Sequence, residues 1–103
     1  MFAEQSNKLV KKLIQAEYKN AVDNYGATYK DLREAESILL EEVEEADAEI
    51  ENLDLRFSEA DWIDGSDLKT DLNKMKKYAM NCMKELAQVC AVITKIQLSN
   101  LGK

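Results

Sequence analysis

No proline interrupts this chain of 103 residues, and its three glycines stand at 26, 65 and 102. Inside a helix, glycine costs about 1 kcal/mol and proline about 3 kcal/mol relative to alanine. The stretches between the glycines are rich in Ala, Leu, Glu, Lys and Met, which are good helix formers. The sequence therefore divides into long helical segments with breaks near Gly26 and Gly65.

Hydrophobic spacing fills in those segments. From about Glu4 to Asn24, residues Leu9, Val10, Leu13, Ile14, Ala16, Tyr18, Ala21 and Val22 recur at helical intervals, and Tyr25-Gly26 supplies a C-terminal stop. Thr28 with Asp31 three positions later resembles a capping box, and the helix after it is expected to run to Arg56 or Phe57. On a wheel at about 100° per residue, Leu32, Ala35, Leu39, Val43, Ala46, Ile50, Leu53 and Phe57 share an arc of about 80°, the expected core face. Ser58 is placed to cap a short helical turn through Asp61-Trp62-Ile63, and Asp64-Gly65-Ser66 breaks the chain. The last helix starts after Ser66 or Asp67 and continues to about Ser99, ahead of Gly102. Its inward residues are Leu68, Leu72, Met75, Ala79, Cys82, Leu86, Val89, Cys90 and Ile93.

The expected fold is all-α: three long helices and a short connector helix in one domain spanning residues 1–103. A chain this short has one core, and many small helical proteins complete theirs by pairing with a second copy. Oligomerisation is thus part of the expectation.

Charge and cysteine content exclude several function classes. A net charge of −6 opposes binding to duplex nucleic acid, whose affinity comes largely from Lys and Arg displacing counterions. No apolar run approaches the roughly 20 residues of a membrane span, and the first residues lack a signal-peptide core, so a cytoplasmic location is expected. Cys82 and Cys90 would lie about 12 Å apart on one helix, too far for a disulfide. With no His to complete a zinc set, they are expected to pack as apolar residues. The absence of His also excludes Ser/His/Asp and Cys/His chemistry, and no glycine-rich phosphate loop is present.

Acidic residues are concentrated. Residues 31 to 67 hold 15 of the 20 acids and only Arg33 and Arg56 as cations. Such runs often form a solvated helix face. Here, however, Glu41, Glu42 and Glu45 share one sector of about 100° beside the core arc, and Glu49 joins it a turn later. Carboxylates held this close repel unless neutralised, and no Lys or Arg lies on that flank within a turn of them. Oxygen-only ligands favour Mg²⁺ or Mn²⁺ over zinc, and Mg²⁺ requires about six oxygens, so a second helix must contribute. Glu85 is the candidate, on a stripe with Tyr78, Asn81, Gln88 and Val92 beside the last helix's apolar face.

The segment Leu39-Leu40-Glu41-Glu42-Val43-Glu44-Glu45-Ala46-Asp47-Ala48-Glu49-Ile50, with Glu85-Leu86-Ala87-Gln88-Val89 on a later helix, resembles the MazG-like all-α nucleoside triphosphate pyrophosphohydrolases over roughly residues 30 to 95. Their signature is Glu-Glu-x-x-Glu on one helix and Glu-x-x-Asp on the next. The first half is matched in full; in the second, Gln88 stands where the pattern has Asp, as in small relatives from phages and bacterial mobile elements, which the chain most resembles.

The resemblance implies a MazG-like bundle acting as a homodimer or homotetramer. It implies Mg²⁺ or Mn²⁺ held by Glu41, Glu42, Glu45 and Glu85, with Gln88 offering a neutral oxygen. It further implies water attacking a nucleoside triphosphate between the α- and β-phosphates, with Glu41 or Glu42 activating the water. Lys74, Lys77 and Lys84 are candidates to contact phosphate, and Trp62, Tyr78 and Asn81 to contact base or sugar. The competing expectation is a non-catalytic helical interaction or scaffold protein with a degenerate metal site, which Gln88 favours.

Overall fold

The computed structural model describes residues 2–26, 28–99 and 101. Three helices carry the fold: α1 (Phe2–Tyr25), α2 (Leu32–Glu59) and α3 (Leu68–Ser99). The stop after α1 is the expected one: Gly26 adopts φ 90° and donates its N–H to the Val22 carbonyl at 2.9 Å. A left-handed residue at this point costs glycine little and an L side chain more. The start of α2 is capped by Asp31, not Thr28, because the Asp31 carboxylate accepts the Glu34 N–H at 2.8 Å. The Glu34 carboxylate accepts the N–H of Lys30, the residue before the cap, at 3.2 Å, so the capping contacts lie three residues beyond the expected ones.

The connector differs from expectation. Among the described residues there is no fourth helix; α2 continues through Ser58 to Glu59, and 60–67 form turns. The Asp61 carboxylate explains this, because it accepts both the Asp64 N–H at 3.1 Å and the Ser66 hydroxyl at 3.1 Å. An aspartate that bonds to nearby backbone in this way offers an alternative to the helical ladder. Gly65 completes the bend at φ 78°.

The long α3 is the spine. Both α1 and α2 pack against it, whereas among the described residues α1 and α2 do not pack against each other. The molecule measures 56 × 34 × 24 Å, with a radius of gyration of 17.2 Å; a compact chain of this length would have one near 13 Å. Its accessible surface, 8021 Å², exceeds the roughly 5,900 Å² typical of a monomer of this mass.

The apolar arc of α2 is only partly covered by α3. Ala35 and Ala46 are buried and Leu39 and Leu53 half-buried, as expected, but Leu32, Val43, Ile50 and Phe57 are exposed. Ile38, Glu42, Glu49 and Arg56 are half-buried in their place. The face covered by α3 is therefore rotated about 60° from the apolar arc, toward the carboxylate flank. On α3, Cys82, Ala87, Ala91 and Val92 are buried, while Leu72, Leu86 and Ile93 remain exposed. Both cysteines are free. No described helix is long and apolar enough to cross a membrane.

Candidate metal centre

The rotation of α2 carries its acidic flank onto α3. Glu42, Glu45 and Glu85 each present a carboxylate oxygen, and these oxygens lie within 4.8 Å of one another. Glu42 and Glu85 are half-buried, whereas Glu45 is more exposed. One Oε2 in each of Glu42, Glu49 and Glu85 is shielded from solvent without a hydrogen-bond partner. A buried carboxylate oxygen left in that state carries an unmet desolvation cost.

The electrostatics agree. Glu42 is held above the usual carboxylate pKa by burial first, and then by Glu45, Glu85, Glu41 and Glu17. Glu85 is raised by burial and by the negative charges of Glu45 and Glu49, with Lys84 offsetting a part. Hydrogen bonding between Glu45 and Glu85 also favours the protonated form of Glu85. Burial and mutual repulsion thus both act against the charged forms of Glu42 and Glu85.

A cavity of about 560 Å³ lies beside the cluster. α2 contributes Glu34, Ile38, Glu41 and Glu42; α3 contributes Gln88, Ala91, Val92 and Lys95. Glu17, Asn20 and Ala21 of α1 and Tyr29 of the α1–α2 loop close the remaining sides. The Gln88 amide donates to Glu17 at 3.4 Å, so α1 meets the cavity through this residue. An amide that donates its N–H retains its carbonyl oxygen as a neutral ligand. The Tyr29 phenol has its pKa pushed up by burial and by Glu42 and Glu34, placing it in the field of the same acids.

The expected site residues separate into two groups. Glu41, Glu42 and Gln88 line the cavity, and Glu42, Glu45 and Glu85 form the carboxylate cluster. Trp62, Tyr78, Asn81, Lys77 and Lys84 do not line the cavity. Trp62 donates its indole N–H to the Phe57 carbonyl at 2.9 Å and packs on the Phe57 ring, with centroids 5.3 Å apart. Tyr78 lies under Arg56, whose guanidinium carbon is 5.6 Å from the ring centroid. Lys74, Lys77 and Lys84 are exposed, and Asn81 is half-buried.

Glu17, Tyr29, Glu34 and Lys95 are among the cavity residues that sequence reasoning missed. Lys95 had a signal, because it extends the Glu85, Gln88 and Val92 stripe by one further turn. Glu17 had none, since periodicity within α1 does not identify its partner helix. Comparison of the chain with protein-family models, curated proteins and solved structures finds no match.

Proposed function

We propose that this chain is a Mg²⁺- or Mn²⁺-dependent nucleoside triphosphate pyrophosphohydrolase that works as a homodimer or homotetramer. The observation that carries the reading is the convergence of Glu42, Glu45 and Glu85 with shielded, unpartnered oxygens. Hard oxygen donors at this spacing, short of cationic partners, suit a small divalent ion. Glu42, Glu45 and Glu85 would hold it, with Glu49 and the Gln88 carbonyl as neighbouring donors. Such an ion, when bound, neutralises phosphate oxygens and acidifies water.

The chain's own groups supply the remaining roles. Glu41 lines the cavity beside Glu42 but stands outside the three-carboxylate cluster. It is thus the carboxylate best placed to accept the proton of a water attacking between the α- and β-phosphates. Ala91 and Val92 give the cavity a buried apolar wall. The products are a nucleoside monophosphate and pyrophosphate.

The outward apolar residues of α2 and α3 support the oligomer. The accessible surface exceeds that of a typical monomer by about 2,100 Å², more than the roughly 800 Å² each partner contributes to a standard interface. The same apolar face favours a second reading, a non-catalytic interaction module, which would need no metal. Pyrophosphate release from a panel of standard and modified nucleoside triphosphates, with Mg²⁺ or Mn²⁺ and with Glu42→Gln as control, decides between them. Activity that Glu42→Gln abolishes supports the enzyme; an inactive wild type across the panel ends that reading.

A further inference from the structure

The cavity holds a charge of the opposite sign to its acids. Lys95 is 3 % exposed, the one buried charged residue among those described. A lone buried ammonium is costly unless something compensates it. Its cavity also contains Glu17, Glu34, Glu41 and Glu42. Yet among the described residues the single ion pair within 4.0 Å is Arg56 with Glu59, and none involves Lys95.

The structure shows what holds the ammonium in place. Its nitrogen sits 4.0 Å from the centroid of the Tyr29 ring. Tyr29 is itself tied to α3: its N–H donates to the Ser99 hydroxyl at 3.0 Å, and that hydroxyl donates to the Lys95 carbonyl at 2.7 Å. Backbone and ring are thus fixed to the same turn of α3 that carries the lysine. A cation on an aromatic face is stabilised without being neutralised, so its charge remains available to a ligand.

We infer that the Lys95–Tyr29 end of the cavity is an anion subsite that receives the phosphate groups remote from the carboxylate cluster, giving the site its preference for pyrophosphate-bearing ligands over monophosphates. The inference rests on the metal-centre reading, because Glu17, Glu34, Glu41 and Glu42 would repel an uncompensated polyanion. Glu42 of the carboxylate cluster and Lys95 line the same cavity. One site is thus bordered by both features, cation-binding carboxylates and a fixed ammonium. Lys95 takes the part that the sequence assigns to the exposed Lys74, Lys77 and Lys84.

Pyrophosphate and Mn²⁺ are sufficient probes, and calorimetric titration separates the two ideas. Mn²⁺ alone is expected to bind wild type and Lys95→Met alike. Pyrophosphate is expected to bind wild type with Mn²⁺ present, and roughly 10- to 100-fold more weakly after Lys95→Met, the loss of one charge-assisted contact. Phosphate, carrying a single phosphoryl group, is expected to bind both proteins weakly and equally. If Mn²⁺ binds but pyrophosphate affinity is unchanged in Lys95→Met, the anion subsite is overturned and the metal centre stands. If Mn²⁺ fails to bind wild type, both readings fall. Should Lys95→Met not fold, the side-chain ammonium resonance of Lys95 in wild type is the second readout: a shift on adding pyrophosphate with a diamagnetic Mg²⁺ supports the subsite, and an unmoved resonance at saturation overturns it.

Discussion

Two groups of acids on this chain, both close to helix ends or seams, are treated in opposite ways by the structure. In the connector, the Asp61 carboxylate accepts the Asp64 N–H and the Ser66 hydroxyl, and Asp71 accepts the Asp61 N–H at 3.0 Å. Those backbone and hydroxyl donors, led by the Asp64 N–H, lower the Asp61 pKa. In the α2–α3 seam, Glu42, Glu49 and Glu85 each retain a shielded oxygen without a partner, and Glu42 and Glu85 are raised. Acids with partners inside the chain hold a turn together. Acids denied them keep a desolvation cost that the chain itself does not meet.

The sharpest way to break this contrast is activity. Glu42→Gln and Glu85→Gln are each expected to reduce pyrophosphate release about 100-fold or more, the scale of losing a ligand or charge that acts on the transition state. Asp61→Asn should leave the rate within about twofold. Equal losses in all three variants, measured at a temperature where each is folded, would erase the distinction between the two acidic regions.

Thermal melting gives the next largest effect. Mg²⁺ or Mn²⁺ at about 100 times its dissociation constant should stabilise the wild type by about 2.7 kcal/mol, a rise of about 10–20 °C for a chain of this size. The rise should survive in Asp61→Asn and disappear in Glu42→Gln. Its absence from the wild type would favour the interaction-module reading.

Metal-free denaturation as a function of pH distinguishes the regions by sign. Carboxylates with raised folded-state values, Glu42 and Glu85, contribute stability that is present below the ordinary carboxylate range and is lost as pH rises through those raised values. Asp61, lowered in the fold, contributes stability present above its ordinary value and lost as pH falls through the lowered one. Glu42→Gln should therefore stabilise the metal-free protein at pH 7 and do little at pH 4, while Asp61→Asn should weaken it at neutral pH. Urea midpoints at the two pH values measure both.

The smallest expected effect on fold, though not on assembly, concerns the apolar face. Val43→Glu and Ile50→Glu alter residues already 39 % and 40 % exposed, so a single chain should lose under about 0.5 kcal/mol. Sedimentation should nevertheless show the oligomer dissociating. Unchanged sedimentation would remove that face from any self-association.

The helices themselves were legible because their punctuation is simple: Gly26 and Gly65 fall at the two breaks, and Ser99 closes α3 as expected. The connector was not, because whether Asp61 caps a helix or binds its own turn depends on donors at Asp64 and Ser66 competing with the helical ladder. The approach of Glu85 to Glu42 and Glu45 could be read from their places beside two apolar stripes. The inward facing of that flank could not. A helical wheel assigns the centre of the apolar arc to the interior, and the exposure of Val43 and Ile50 shows that α3 does not cover that arc. Tyr29 escaped notice because its partner, Lys95, lies on a helix more than sixty residues away.

One consequence follows from α3 being packed on two flanks that do not touch. The space between α1 and α2 is a wedge, and the cavity is what that wedge leaves open. A molecule seated there would act as mortar between the first helix and the second, joining parts that the chain alone couples only through their common neighbour. Slower amide exchange along α1 on ligand addition would be the trace of that joining.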